Sequence, residues 1–560
     1  MSSTAREFYF AGTRGVPSVL VRSLAGEQVL VDLAVDTHRQ SHIAGIDGLA
    51  AVDLPHDFSR RTERDQELGV EPLVGNRIGS RDWIARLDQH SLDEIVELWE
   101  RLAGRVDDER LERLPLAFPL VPVEARLFRR HTSSLPPVPV LSNTRSRYYT
   151  RLSMKVLLVG SGGREHALAW KLAQSPALTG LHAAPGNPGI AALGSCHPLG
   201  MDDLEGLLGL CREQEIDLVV VGPEAPLVAG IADGLRRAGV AVFGPGARAA
   251  RIEGSKAFAK EVMRAAGVPT AAELDELRAP CVVKADGLAA GKGVFVCPTQ
   301  EEAEGAWQRA QALGERVLVE ELLEGEEVSV FAVTDGVRAV GLSPAQDFKR
   351  LLDGDEGPNT GGMGSYSPVP FLADEDVDEI VDLVHRPVLA ELSRRGAPYV
   401  GLLYAGLMLT DDGPRVLEFN CRFGDPETQA VLPRLEGDLL PVLASAAAGA
   451  LDAGRLKTAT EAAVTVVLAS AGYPEAPETG AEIDGVADAE ALGAIIFHAA
   501  TALRGDRLVS AGGRVLNVTA LGASVAEARE RAYDALERIH LSGVHFRTDI
   551  ALRAAVHVAS

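Results

Sequence analysis

The sequence predicts an α/β protein of several domains. A parallel-sheet domain starts near residue 154, a mixed domain is built around a glycine-tipped hairpin, and a smaller mixed α/β domain ends the chain. Three observations carry that reading. Apolar runs and helical patterns alternate from "MKVLLVGSGGREHALAWKLAQ" onward, the order of a doubly wound sheet. The runs "CVVKAD" and "GVFV" flank a glycine-rich tip, which reads as a hairpin and not as a strand-to-helix turn. A last stretch mixes "AAVTVVLAS", "GAIIFHA" and "RVLNVTALG" with the helical "VAEARERAYDALERI". At 560 residues the chain has room for all three.

Residues 1–153 stand apart from the rest. They end in "LAFPLVPVEARLFRRHTSSLPPVPVLSNTRSRYYTRLS", rich in Pro, Ser and Arg and poorly periodic, which reads as loop or linker. Upstream, "SLDEIVELWERLAGRV" has apolar residues at helical spacing behind a Ser91 cap. His38, His42 and His56 match no metal-ligand spacing and read as scattered surface residues. The segment is left unassigned: either Met154 is the natural start and what precedes it an upstream extension, or it is an appended domain.

Residues 154–254 are expected to form the doubly wound domain. After the first strand come "LHAAPG", a helix near 202–214, "IDLVVVGPE", a helix from about 226 to 238, and "VAVFGPG". Near-continuous apolar strands imply a parallel sheet covered on both faces. Residues 255–445 form the second unit. Ser255 caps a helix that ends at Gly267, with Pro269 beyond it; a lid is expected over about 277–340. The small-residue stretch "ASAAAGALDAG" reads as a linker to the last unit, 458–560.

Composition narrows the function. A net charge of −24 argues against a nucleic-acid partner, which would need a basic stripe. No apolar run reaches the length of a membrane span, and "MSSTAREFYF" lacks the features of a secretory signal. The five cysteines are scattered, with no Cys-x-x-Cys pair, so neither a disulfide framework nor a zinc cage is indicated and a reducing cytoplasm fits best. The chain has only eight lysines, none before Lys155. A lysine inside a glycine-rich loop therefore stands out.

That loop is "KADGLAAGKGV", with Lys284 at its root and Gly291, Lys292 and Gly293 in its tip. It lacks the spacing and the hydroxyl of a P-loop. As a hairpin flap it would close on nucleotide phosphates from above, through backbone amides and Lys292. "GSGGREH" places Gly160, Gly162 and Gly163 at a helix N-terminus, where backbone amides can approach an anion. Glu165 occupies the place where a dinucleotide fingerprint wants Gly or Ala, so a nicotinamide cofactor fits poorly. "APGNPG" and "GPEAPLV" end later strands of the same sheet, where ligands bind. Glu320 and Glu321 directly follow a strand; composition alone favours an acidic solvated turn, and the alternative is a hinge that offers backbone groups to an adenine edge, with Glu327 accepting from ribose hydroxyls. In "PRVLEFNCRFGDPETQ", strand alternation sends Leu417 and Phe419 to the core and Glu418 and Asn420 together to the other face. An acid and an amide so placed suit magnesium. Arg422 can bind a carboxylate or phosphate with two donors, and Asp425 and Glu427 can contact an amine.

From Met154 to the C-terminus, these motifs closely resemble those of the phosphoribosylamine–glycine ligase (glycinamide ribonucleotide synthetase) family, within the ATP-grasp enzymes. "GSGGREHALAWK", "APGNPG", "VGPEAPLVAGI", "EGSKAF", "KADGLAAGKGV", "NTGGMGSYSP" and "LEFNCRFGDPE" occur in family order, and "RFGDPETQ" matches its signature. The resemblance implies a parallel-sheet substrate domain, an ATP-grasp domain with a mobile lid and a small C-terminal domain that helps close the ATP site. It implies ATP and Mg2+ (or Mn2+), with glycine and 5-phosphoribosylamine as substrates, in a cytoplasmic monomer that binds neither nucleic acid nor membrane. Lys256 and Lys284 would contact phosphates under the Gly291–Gly293 flap. Glu320, Leu323 and Glu327 would line adenine and ribose, and Glu418 and Asn420 would hold the metal. Gly162, Gly163, Arg164 and Glu165, with Pro185, Gly186 and Asn187, would bind the sugar amine. Lys284, Arg422, Asp425 and Asp347 are the expected catalytic residues, with Lys349 on substrate. The Gly512-Gly513-Arg514 turn has no assigned role.

This chain departs from the family pattern at Phe348, where a histidine is usual, and at Ala500, where glycine is usual; two segments near the lid are short. A biotin-carboxylase-like ligase would share Lys284 and the Glu418–Asn420 strand but not "RFGDPETQ". A dehydrogenase would need a better fingerprint. A non-catalytic binding protein would tolerate loss of Lys284, Glu418 or Asn420, and all three are present.

Overall fold

The computed structural model describes residues 8–13, 16–22, 28–32 and 153–557, with 289–292, 315 and 453–455 outside that set. The helix expected behind Ser91, the three N-terminal histidines, and Gly291 and Lys292 all lie outside the described residues. The chain divides into two compact units, Met1–Val140 and Leu141–Ser560. In the first, Phe8–Thr13, Val16–Arg22 and Gln28–Asp32 form an antiparallel three-stranded sheet in sequence order.

The second unit opens with the expected parallel sheet. Its strands lie in the order Ser195–Cys196, Leu178–Pro185, Met154–Gly160, Leu218–Val221 and Val242–Phe243, all parallel. The first strand is central, and Val156–Val159 are fully buried because helices cover both faces. The strand order switches sides between Met154–Gly160 and Leu218–Val221, so their carboxyl ends make the crevice where ligands of such sheets bind. The helix expected over 226–238 is two, Glu224–Ala229 and Ile231–Arg237, because Gly230 takes a left-handed φ of 92° and turns the chain between them.

Lys256–Ala266 forms as expected. The Ser255 side chain accepts from Phe258 N, and Gly267 closes the helix at φ 69°. The hairpin is confirmed: Cys281–Ala285 pairs antiparallel with Val294–Cys297 and, on its other edge, with Val317–Glu321. This three-stranded sheet and helix Gln300–Leu313 share a small core of their own. The lid is therefore narrower than expected over 277–340. Glu326–Asp335 belongs to a separate four-stranded sheet with Ala339–Gly341, Val400–Thr410 and Gly413–Asn420.

The C-terminal sheet breaks the linear boundaries. Its strands are Gln346–Asp347, Gly364–Ser367, Ala462–Ala469, Arg514–Gly522 and Ile495–His498, so two come from the middle of the chain. The strand carrying Asp347 is thus held by the C-terminal core. The "linker" is also corrected: Ala444–Ala447 finish helix Leu439–Ala447, whose leucines pack against the parallel and central sheets. Alanine favours helix, and composition alone misread it.

Candidate active site

A cleft of about 1020 Å3 is bordered by the parallel sheet, the lid sheet, the central sheet and residues 549–554 of the C-terminal segment. Four of the chain's eight lysines, Lys256, Lys260, Lys284 and Lys349, line it.

The lid root is tied to the start of helix Lys256–Ala266. Ser255 Oγ donates to Asp286 Oδ2 at 3.2 Å, and Lys256 Nζ donates to the Gly287 carbonyl at 3.0 Å. Burial lowers the Lys256 pKa, opposed by the Glu418 charge. Lys284 Nζ donates to the Leu417 carbonyl at 3.0 Å and pairs with Glu320 Oε2 at 2.7 Å. The other Glu320 oxygen faces Lys260 at 3.1 Å. Glu320 is only 1% exposed, and its carboxylate serves as the counter-ion of two lysines. Glu320 to Leu323 line the cleft. Gly293 is buried at the top of the hairpin, and its carbonyl accepts from Ala285 N at 2.8 Å.

The expected alternation fails at Leu417. Opposite strand Val400–Thr410, Gly406 pairs with Glu418 but Leu407 pairs with Val416, so Leu417 is the extra residue of a β-bulge. Val416 and Phe419 fill the core, while Leu417 is half-buried and faces the cleft beside Glu418. The bulge presents the Leu417 carbonyl to Lys284. Glu418 and Asn420 border the cleft as expected. Burial opposes ionisation of Glu418, but Lys349, Lys284 and Lys256 outweigh it and lower its pKa. Asp347 and Lys349 flank this face. Lys349 pairs with Glu327 and lies 3.9 Å from Glu418 Oε1. Burial, reinforced by Glu427, Glu327 and Glu418 against the pull of Lys349, pushes Asp347 up to about 8.

Arg422 is engaged by two carboxylates, Glu224 at 3.1 Å and Glu253 at 2.8 Å. Burial opposes ionisation of Glu224, but Arg422 and Arg164 draw its pKa down to about 2. Glu253, more deeply buried, is dominated by desolvation and its pKa rises; it also accepts from Cys421 N at 2.7 Å. The Glu253 contacts hold the end of strand Gly413–Asn420.

The turn after the first strand was expected to meet substrate. Of its residues only Arg164 lines the cleft. Glu165 is 2% exposed and turns inward: Gly162 N donates to Oε2 at 2.6 Å and Arg164 Nε to Oε1 at 2.5 Å. A Cβ on Gly160 would lie 2.5 Å from Glu165 Cγ, and one on Gly222 2.6 Å from its Cδ. Both glycines make room for this cap. Asn187 is spent on backbone: its amide donates to Ser161 O at 2.9 Å and to His498 O at 2.8 Å, and its oxygen accepts from Ile190 N. Pro185 and Gly186 shape that loop, and a Cβ on Gly186 would lie 3.1 Å from Cys196 Cβ. A Cβ on Gly163 would lie 2.8 Å from Gln429 Nε2 and closer still to Asn517 Nδ2. Asp425 pairs with Arg514 at 2.9 Å and accepts from Gln429 at 2.8 Å, and Glu427 accepts from Ser329 Oγ at 3.3 Å.

Phe348 faces the C-terminal unit, where the Arg547 guanidinium lies 4.9 Å from its ring centroid. An aromatic face suits a cation there. Ala500 fits because its Cβ faces Gly512, 2.8 Å from where a Cβ there would sit. Sequence reasoning gave no role to Lys260 or Glu253. Lys260 was within reach, since it lies four residues beyond Lys256 on the same helix face. Glu253 opens the "EGSKAF" motif, but its partner Arg422 lies far along the chain.

Comparison with known proteins follows the same layout. Residues 154–253, 254–428 and 463–553 match the N domain, ATP-grasp (A) domain and C domain models of phosphoribosylglycinamide synthetase. A phosphoribosylamine–glycine ligase of Streptomyces coelicolor is 55% identical over 418 residues, 72% of this chain and 100% of the relative. The crystal structure of phosphoribosylamine–glycine ligase from Thermotoga maritima superposes with a TM-score of 0.62 at 36% identity, covering 71% of this chain and 100% of that one. A biotin carboxylase domain from Hydrogenobacter thermophilus, at 17% identity and TM-score 0.54, covers 73% of this chain and 99% of that one and shares the fold.

Proposed function

The chain belongs to the phosphoribosylamine–glycine ligase family, and from that premise we propose how its own residues divide the work. It is an ATP-dependent carbon–nitrogen ligase. It joins glycine to 5-phosphoribosylamine, giving N1-(5-phosphoribosyl)glycinamide, ADP and phosphate, in purine biosynthesis. The glycine carboxylate attacks the γ-phosphate of ATP, and the sugar amine then attacks the carbonyl of the resulting glycyl phosphate and expels phosphate.

The observation that carries the assignment of roles is the convergence of Lys256, Lys284, Glu418, Asn420 and Arg422 on one cleft beneath the hairpin. Lys256 and Lys284 neutralise the triphosphate, and Glu320 holds Lys284 in place with help from Lys260. Leu323 and the neighbouring hinge backbone meet the base, and Glu327 the ribose. Gly291, Lys292 and Gly293 close over the phosphates and exclude water. Arg422, fixed by Glu253 and Glu224, faces the carboxylate that becomes the acyl phosphate. Asp347, Lys349 and Asp425 border the reacting groups. Arg164 reaches the sugar amine from the parallel sheet, while Glu165, Asn187 and the glycines of that end shape the turn that receives the phosphate.

Family membership brings a divalent metal, and the residues fit one. Glu418 is kept ionised by three lysines, and Asn420 is an oxygen donor two residues on. Among the described residues no group of three His, Cys, Asp or Glu could hold an ion; Mg2+ or Mn2+ on Glu418 and Asn420 would share its shell with phosphate oxygens. Such an ion would neutralise charge developing on the transferred phosphoryl group.

The net charge of −24 argues against nucleic acid, no helix among the described residues is long and apolar enough to cross a membrane, and five free cysteines suit a reducing cytoplasm. The test is ADP release with each substrate omitted in turn. Release that needs glycine supports the reading; release indifferent to both glycine and phosphoribosylamine overturns it.

A further inference from the structure

Two glycine pairs, Gly512–Gly513 and Gly361–Gly362, have no part in the chemistry just described, yet they interlock. A Cβ on Gly513 would lie 2.8 Å from Tyr473 Cε2, and one on Gly361 3.1 Å from Arg514 Cζ. A Cβ on Gly362, at φ 104°, would lie 3.2 Å from Pro426 Cγ. Only glycine lets the ring and the guanidinium come this near the loop.

What they reach is its backbone. Gly361 N donates to Tyr473 Oη at 3.0 Å. Arg514 Nη1 donates to the carbonyls of Gly361 at 2.5 Å and Asp425 at 2.8 Å, and Nη2 pairs with Asp425 Oδ2 at 2.9 Å. The turn is itself anchored: Ser470 Oγ donates to Gly512 O at 2.7 Å and Ser470 N to Gly513 O at 2.8 Å. On the other side of the loop, Thr360 N and Oγ1 both donate to the Lys349 carbonyl, at 2.7 and 2.9 Å. Asn359 Nδ2 donates to the carbonyl of Val294, the first residue of the lid strand that follows the hairpin tip, at 3.3 Å.

We propose that Tyr473 and Arg514 of the C-terminal unit are positioning residues that hold loop 359–362 as the seat of the lid, so that water is kept from the activated glycine. A continuous set of contacts runs from the Gly512–Gly513 turn through Gly361 and Asn359 to Val294. It rests on the ligase reading and gives the C-terminal unit a task in it. Loss of the seat leaves the chemical groups in place and loosens the lid. The consequence is leakage of glycyl phosphate to water and not loss of phosphoryl transfer.

Tyr473→Phe removes one hydroxyl and leaves the ring on Gly513. ADP release with ATP and glycine but no sugar amine measures the leak, and product formation in the complete mixture measures synthesis. The ratio of leak to synthesis should rise about three- to tenfold, the range expected for one hydrogen bond. Asn359→Ala should do the same, and the double variant should be no worse than the worse single one, because both cut one path. Proteolytic cleavage within 287–294 should quicken in parallel. An unchanged ratio in Tyr473→Phe, or effects of the two substitutions that multiply, overturns the proposal. Wild-type ADP release that ignores glycine would overturn the ligase reading itself, and the two failures are distinguished by which protein shows them.

Discussion

Replacing Glu320 by glutamine tests the double-lysine arrangement under the lid. The carboxylate is 1% exposed and meets Lys284 at 2.7 Å and Lys260 at 3.1 Å. Hydrogen bonds to charged groups contribute about 1.5–3 kcal/mol each, against about 0.5–1.5 for neutral ones. Exchange for an amide therefore costs about 1–1.5 kcal/mol per contact, or about 2–3 kcal/mol in all. The amide also turns an N–H group toward one ammonium. Lys260 keeps Thr270 Oγ1 at 2.9 Å and the Ala271 carbonyl at 2.7 Å, whereas Lys284 keeps only the Leu417 carbonyl. Lys284 is thus the group that drifts, and it is the one proposed to touch phosphate. A loss of about 1.4 kcal/mol there is a tenfold rise in KM for ATP. Urea unfolding should shift its midpoint without a change in m, and steady-state kinetics should show KM for ATP rising more than kcat falls. Lys260→Met, which leaves Glu320 with Lys284, should disturb KM less. A Glu320→Gln protein within about 0.5 kcal/mol of wild type, with unchanged KM for ATP, would refute the account.

Three further outcomes follow from the same contacts. Glu418→Ala should stay folded by circular dichroism and lose metal affinity by about 10- to 100-fold or more; near-wild-type turnover at limiting magnesium would exclude Glu418 as a ligand. Gly163→Ala drives a methyl into Asn517 and Gln429 and should cost about 1–3 kcal/mol of stability, read from thermal unfolding. His166 is buried, and desolvation with the neighbouring His498 lowers its pKa to about 3, so it accepts from His498 N at 2.8 Å as the neutral ring. A folded-state pKa below that of the unfolded chain means the unfolded state takes up the proton first. Stability is therefore full above about pH 6.5 and falls as the pH drops toward 3, by about 1.4 kcal/mol per unit for this one proton. His166→Asn should remove that share of the acid slope, and an unchanged slope would show that His166 does not stay neutral.

Lys284, Glu418, Asn420 and Arg422 stood out in short segments before any fold was known, and the structure brings all four to one cleft. The strand-to-helix turn at Gly162 and the Ser255 cap are local, so sequence specified them. Errors arose where a local pattern met a distant partner. The resemblance implied a substrate contact for Glu165; glycines at the ends of two separate strands make it a buried cap. Leu417 looked like core until the neighbouring strand forced a bulge. Phe348 looked like a lost histidine until Arg547 covered it.

The sequence by itself determined the order of elements, the scarcity of lysine, the glycine hairpin and the segment that carries Glu418 and Asn420, because each depends on residues a few positions apart. Tertiary structure alone decided which carboxylate neutralises which cation. Arg422 and Glu253 are 169 residues apart, and Arg514 and Gly361 are 153 apart. No periodicity reaches across such distances. Those pairs exist because buried charges and backbone groups must find partners wherever packing brings one within reach.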